Sequence, residues 1–261
     1  MTASETSATA TLPEFLRPKS GAPLIRLGRD RDGGYLVDRR TVEACDLLVS
    51  MGINADWSFE DDFLKLRDVP LIGYDASISS RRFAMESWKR AAFLEPKNAL
   101  KWLRTLRRYR TFFNGTNRVH RAEFVGFDYS DRYVSLKTLL SRDCGDAKDI
   151  FFKIDIEGSE YRLLEDLIAC APRIRGLAIE FHDVDLHLER IRDFVEAFPL
   201  AVCHVHGNNF APINPTGIPQ AIEVSFTSAP VGEPLSAGSL PHELDRPANP
   251  RRPDIALTFS E

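Results

Sequence analysis

Acidic and imidazole side chains gather at two points of the sequence in a way that suits proton transfer or metal binding. Asp155 and Glu157 stand two residues apart in KIDIEG, and His182 and Asp183 close IEFHD. Alternate residues of an extended chain share one face, so continued extension past Asp155 sets the two carboxylates side by side. Asp155 ends an otherwise apolar run, where an unpaired buried carboxylate is costly, so it is expected to be paired or functional. Two chemistries are open to this set. In one, His182 takes a proton from a hydroxyl while Asp155 or Asp183 orients its ring. In the other, Asp155, Glu157 and His182 hold a hard divalent cation that lowers the pKa of vicinal hydroxyls. The metal-free base is preferred, because no third carboxylate has an evident place. Structural duties compete with each assignment. Glu157 beside Gly158 can serve a helix terminus, Asp183 can cap the following helix, and His182 can sit as a hydrogen-bonded edge histidine. His204 and His206 can tie a strand to a loop.

A second constellation lies upstream in VSMGINADWSFE. Gly52 fits the tight turn that lets backbone amides approach a ligand beyond a strand end, and Asn54 tolerates positive φ where a second glycine is usual. Asp75 follows Asn54 by 21 residues at the end of the next apolar run. That spacing sets a carboxylate against a ribose diol, so the pair implies a nucleoside-containing cofactor. The competing reading has Gly52 only turning the chain and Asp75 only capping a helix. A dinucleotide is disfavoured, because Ala, Asp, Trp and Ser occupy 55–58 where a third glycine would pack, and no second mononucleotide-binding half follows. Asp56, Glu60, Asp61 and Asp62 would repel a pyrophosphate and tolerate a sulfonium with its ammonium group.

Charge is distributed unevenly. Lys89 to Arg121 carries ten Lys or Arg against Glu95 alone, a local +9 in a chain of net −4. Within it Trp102, Leu106, Tyr109 and Phe113 recur at helical spacing, while Lys101, Arg104, Arg107, Arg108 and Arg110 fill other positions. The pattern reads either as a surface helix with a solvated basic face or as a lid that favours an anionic ligand. Under the second reading Arg104, Arg107 and Arg108 are acceptor-binding candidates, with His206 and Asn208 from HVHGNNF. Asp32, Gly33, Gly34 and Tyr35 form a tight-turn signal whose backbone can border the cofactor pocket.

Alternating strand and helix patterns position these groups. DLLVSMG is a strand ending at Gly52, SFEDDFLKL a helix capped by Ser58, and PLIGYDAS a strand ending at Asp75. AEFVGF leads to Asp128 as the third strand, SLKTLL is a helix, and DIFFKID is a strand buried on both faces. SEYRLLEDLIAC is a helix, GLAIEF a strand ending at His182, VDLHLERIRDFVEAF a helix and LAVCHVHG a strand. AIEVSFT and DIALTF are expected to pair as an antiparallel edge hairpin. The fold expected is α/β: a mostly parallel, Rossmann-like seven-stranded sheet with helices on both faces and a helical insert between strands two and three. Residues 1–20 are expected to be a flexible tail and 21–261 a single domain, with the insert at about 81–120. Cys45, Cys144, Cys170 and Cys203 form no CxxC pair, which argues against a zinc knuckle or disulfide framework. With no secretory signal and no long apolar run, the expectations are a cytoplasmic chain and no membrane insertion, and a net charge of −4, with no global basic excess, argues against a nucleic-acid partner.

SMGINADWSFEDDF, YDAS, FFKIDIEGSEYRLLEDL and IEFHD together resemble the FkbM-type methyltransferases, in the methyltransferase-like branch with an upstream DGGY segment. RLGRDRDGGYLV, HVHGNNF and LDRPANPRRPDI extend the likeness from about Arg26 to Ile255. The resemblance implies a Rossmann-like methyltransferase fold, S-adenosylmethionine as cofactor, and transfer to an oxygen of a sugar, glycan or secondary metabolite. Cofactor contacts are expected from Gly52, Asn54, Ser58, Glu60, Asp75, Ala76, Asp128 and Asp155, and catalysis from Asp155, Glu157, His182 and Asp183. The acceptor is expected to be a small molecule or glycan, with an anionic group if the basic insert is a lid. A nucleotide-dependent oxidoreductase and a catalytically silent binding module are the rivals.

Overall fold

The computed structural model describes residues 8–236 and 238–260. The chain opens with β1 (Ala8–Pro13), then a hairpin of β2 (Leu24–Leu27) and β3 (Tyr35–Asp38), and the short α1 (Arg39–Ala44). The alternating body follows as β4 (Leu47–Met51), α2 (Ser58–Leu66), β5 (Leu71–Tyr74), α3 (Ser80–Ala92), α4 (Pro96–Phe112) and β6 (Arg118–Arg121). After β7 (Phe124–Gly126), β8 (Tyr133–Ser135) and α5 (Leu136–Arg142), it continues through β9 (Ile150–Ile154), α6 (Leu164–Ala169), β10 (Ile174–His182) and α7 (Val184–Ala197). β11 (Ala201–Gly207), β12 (Ala221–Thr227) and β13 (Ile255–Ser260) complete it.

Seven strands form the Rossmann-like sheet in the order β11-β12-β10-β9-β4-β5-β6, and β12 alone runs antiparallel to its neighbours. The chain winds from β4 outward to β6, then returns to β9 on the other side of β4. The crevice at that reversal, beyond the carboxyl ends of β4 and β9, is where open α/β sheets bind ligands. β9 is apolar except for Lys153, and it is fully buried because both faces are covered. Its adjacent Phe151 and Phe152 point to opposite cores. Phe151 packs with Phe59 and Phe63 of α2 on one face. Phe152 belongs to the other core with Leu139, Leu167 and Ile191 of α5, α6 and α7. The helical insert is a hairpin: Phe83 of α3 stacks on Trp102 of α4 at 5.9 Å, and Ser79 Oγ caps α3 by accepting from the Arg82 amide.

Four expectations are corrected. The tail is ordered from Ala8, because β1 pairs in parallel with β13 and buries Ala10, Leu12 and Leu16; residues 1–7 lie outside the described residues. The third strand of the sheet is Arg118–Arg121, while Phe124–Gly126 pairs only with Tyr133–Ser135 in a separate two-stranded piece. AIEVSFT forms its edge hairpin with LAVCHVHG, and DIALTF leaves the main sheet for β1. SEYRLLEDLIAC splits into a 3-10 turn at Glu160–Arg162 and the short α6.

Candidate functional site

A cavity of about 1160 Å³ opens at the switch point, lined from the ends of β4, β5, β9 and β10 and by α4. Gly52 turns the chain there with φ +78°, and a Cβ at that position would meet the Asp155 carbonyl oxygen at 1.6 Å, so only glycine fits. Asn54 takes φ +52°, as the sequence suggested. Its amide donates to Asp75 Oδ2 at 2.6 Å, and the Ser77 amide donates to Oδ1 at 2.6 Å, which aligns the Asp75 carboxylate at the end of β5. Asp75 lines the cavity.

The middle of the cavity is acidic. Lys153, buried within β9, donates to Gly52 O at 2.8 Å and to Asp155 Oδ2 at 3.2 Å. The Tyr35 hydroxyl lies 3.0 Å from that Asp155 oxygen and 3.2 Å from Glu180 Oε2. Asn208 Nδ2 donates to Glu180 Oε1 at 2.7 Å. Burial, reinforced by Asp155 and Glu223, pushes the Glu180 carboxyl well above its ordinary range. Burial and Asp155 raise Asp32 as well. Glu60, also buried, accepts from the Ser50 hydroxyl through Oε1, and its Oε2 has no partner among the described residues. Burial raises its pKa against the pull of Lys153 and Ser50.

His182 ends β10 with Nδ1 3.2 Å from Glu160 Oε1, and Nε2 3.5 Å from Glu157 Oε2 and 3.8 Å from Glu180 Oε1. Burial alone would lower its pKa, but the bond to Glu160 and the charges of Glu180, Glu160 and Asp155 push it up to about 9. The carboxylate hydrogen-bonded to the ring is Glu160, a correction to the expectation of Asp155 or Asp183. Glu157 adopts φ +53° and not an extended conformation, yet Asp155, Glu157 and His182 each offer a ligand atom within 4.8 Å of the others.

Opposite this acidic centre stands a basic wall. Lys97, Lys101, Arg104, Thr105 and Arg108 of α4 all line the cavity, and their spacing places them on one helix face. The Arg108 guanidinium lies 5.3 Å from the Trp57 ring centroid. Glu86 and Glu95, the acids of the α3–α4 hairpin, pair with Lys89 and Arg90, leaving the four cations unpaired among the described residues.

Several anticipated residues stand elsewhere. Ser58 is the first residue of α2 rather than its cap and turns its hydroxyl to Asp56; Ala76 borders a smaller depression beside Ser79 and Arg82. Asp128 accepts from Ser135 and Thr138 and holds the start of α5. His206 is buried between Glu223 and Asp254, and His204 reaches Asp245, so both tie the C-terminal segment to the sheet. Arg107 is exposed off the cavity, and Asp183 enters α7 with φ +49° without capping it through its side chain. Gly52, Asn54, Glu60, Asp75, Asp155, Glu157, His182, Asn208, Arg104 and Arg108 are brought together. Sequence reasoning missed Lys153, Glu160 and Glu180. For Lys153 and Glu180 a signal existed, since each is a charge inside an apolar strand run.

Comparison with known proteins returns distant structures. The chain is similar to the fibrillarin pre-rRNA processing protein of Methanococcus jannaschii, with 9% identity, a TM-score of 0.35, and 72% of this chain and 68% of that chain covered. It is similar to a candidate sarcosine dimethylglycine methyltransferase from Galdieria sulphuraria, with 9% identity, a TM-score of 0.38, and coverage of 73% and 81%. It is also similar to a candidate caffeoyl-CoA O-methyltransferase from Staphylococcus aureus, with 8% identity, a TM-score of 0.32, and coverage of 73% and 80%. The chain matches no family model and no curated protein sequence.

Proposed function

We propose that this chain is an S-adenosylmethionine-dependent methyltransferase that transfers a methyl group to a hydroxyl of an anionic small-molecule or glycan acceptor. The observation that carries this reading is the polarity of the cavity. Glu60, Asp75 and Glu180 line it as buried carboxylates, with Asp32 and Asp155 beside them, and Lys153 is the buried cation among them. Such a lining favours a cationic ligand and disfavours a dinucleotide pyrophosphate. The resemblance to FkbM-type methyltransferases points to the same cofactor.

The residues present fit that cofactor. Asp75, aligned by two amides, offers its remaining lone pairs to a ribose diol. The unpartnered Glu60 oxygen suits an ammonium group, and the bare backbone of Gly52 leaves room for the amino-acid end. When bound, the cofactor supplies an electrophilic methyl group; the protein's part is to align a hydroxyl behind it and remove the proton. His182 takes that proton in our reading, with Glu160 fixing the ring. A pKa of about 9 leaves His182 charged in the ligand-free protein at neutral pH. A positive charge arriving beside Asp155 works in the opposite direction and lowers that pKa toward the range of a general base. The convergence of Asp155, Glu157 and His182 favours a second reading of the same step, with a divalent cation on those three groups.

Calorimetry with S-adenosylmethionine, its demethylated product and NAD(H) tests the assignment. Binding of the first two and not of NAD(H) is expected, and the reverse overturns it. Once an acceptor is found, His182→Ala is expected to lower turnover by about two orders of magnitude or more with cofactor affinity near normal. Activity abolished by EDTA and restored by Mg²⁺ would replace the free base with the cation.

A further inference from the structure

The α3–α4 hairpin carries a second surface, separate from the face that lines the cavity. Its most exposed large apolar side chains cluster at the turn: Trp88 is 72% exposed, Phe93 77% and Leu94 89%, with Met85, Leu100 and Leu103 on the flanking helices. Leu94 is the informative one. It closes α3 in a left-handed conformation with φ +57°, its amide donating to Ala91 O at 3.1 Å and the next amide, of Glu95, to Arg90 O at 2.9 Å. Glycine or asparagine normally occupies this closing position, because the left-handed region penalises other side chains. A turn that only reverses the chain is better served by glycine. Here a strained backbone presents a leucine to solvent instead.

Along the two helices the charge off the cavity face is one-sided. Arg81, Arg82, Lys89, Arg90, Arg107 and Arg110 are exposed there against Glu86 and Glu95, a net +4 in a chain of net −4. We propose that the α3–α4 hairpin is a peripheral docking element for an anionic lipid bilayer. The apolar turn enters the headgroup boundary and the flanking cations face lipid phosphates. Interfacial elements pair Trp, Phe and Leu with Lys and Arg in this way, and juxtaposed cations add attraction to anionic lipid. A nucleic acid would use the cations but gain nothing from Met85, Leu94 or Leu100. Among the described residues no helix is long and apolar enough to cross a membrane, so the contact is with the surface. The expectation of no membrane insertion thus narrows to the absence of a span among those residues. α4 also lines the cavity, so docking would bring the cavity mouth to headgroup level.

Flotation of the full chain with phosphatidylcholine vesicles, with and without phosphatidylglycerol, tests this. Binding is expected only to the anionic vesicles, weakening at high salt, with a blue shift of tryptophan emission as Trp88 leaves water. Leu94→Gly removes a backbone penalty, so its Tm should equal or exceed that of the parent. Its vesicle partitioning should fall roughly tenfold, the loss of one large apolar side chain's burial. Trp88→Ser should lower partitioning similarly and abolish the blue shift. Calorimetric binding of S-adenosylmethionine should not change in either variant, which separates this proposal from the methyl-transfer reading. Absence of binding to anionic vesicles overturns the proposal, whether or not the chain self-associates or captures an acidic protein. Binding that both variants leave unchanged overturns it as well, since cations alone would then account for adsorption.

Discussion

Replacing Asp75 by asparagine separates a ligand-binding role from a loop-anchoring one. In the folded chain both carboxylate oxygens accept backbone amides at 2.6 Å, from Asn54 and Ser77. An asparagine keeps the shape but turns one acceptor into a donor, so one of those amides loses its partner in a position only 7% exposed. An unpaired buried amide costs ~1 to 3 kcal/mol. For a chain of this length that lowers Tm by roughly 2 to 10 °C. If Asp75 also holds a ribose diol, the variant loses a charge-assisted hydrogen bond worth ~1.5 to 3 kcal/mol. Affinity for S-adenosylmethionine then falls roughly 10- to 150-fold. Differential scanning fluorimetry reads the first quantity, and titration calorimetry well below Tm reads the second. A fall in Tm with unchanged affinity would show that Asp75 is an anchor for the 52–57 turn and nothing more, and the ribose assignment would fail.

Glu60→Gln should act with opposite signs on the two readouts: it removes a buried carboxyl whose pKa is raised by burial, so Tm at neutral pH should rise or hold, while cofactor affinity drops roughly tenfold. Ala at both Arg104 and Arg108 should raise the acceptor KM and flatten its salt dependence in steady-state assays, whereas Arg107→Ala, off the cavity, should leave both unchanged. Burial alone would lower the His206 pKa, but Asp254 and Glu223 hold it well above the ordinary value. Its contribution to stability is complete below the unfolded value of about 6.5 and declines as pH rises toward the folded one. Denaturant unfolding across that range should show the decline in the parent and a flatter profile in His206→Gln; matching profiles would refute the linkage.

What could be read in the sequence followed from where burial leaves a pattern. β9 was legible because a strand covered on both faces must be apolar almost throughout, and the turn at Gly52 with Asp75 beyond it is a spacing fixed by one βαβ step. β6 was not, because RVHR lies at the sheet edge, only half-buried or exposed, and carries no apolar run, while the nearby EFVG is more apolar yet belongs to a separate pairing. β13 looked like a partner for β12, but its apolar alternation serves equally well against β1, far away in sequence, and no local signal distinguishes the two. Glu160 was hidden for a related reason: it follows β9 in the chain and reaches the backbone and ring of His182 at the end of β10 only through the parallel pairing of those strands.

Lys153 and Glu180 teach the opposite lesson, since the charges were visible but were absorbed into strands read as apolar. Once folded, they belong to one set in which Lys153 and the His182 imidazole face the carboxylates of Asp155, Glu60 and Glu180, and Tyr35 and Asn208 supply only neutral donors. A carboxylate surplus of this kind weakens the ligand-free fold, because desolvation penalises charges that lack partners. A cation entering the cavity relieves it, and does so most where the surplus is greatest. Under the proposed function, the same imbalance that makes the centre of the sheet electrostatically expensive would favour a positively charged ligand, while the α4 cations, unpaired among the described residues, would leave the facing wall open to a negatively charged one.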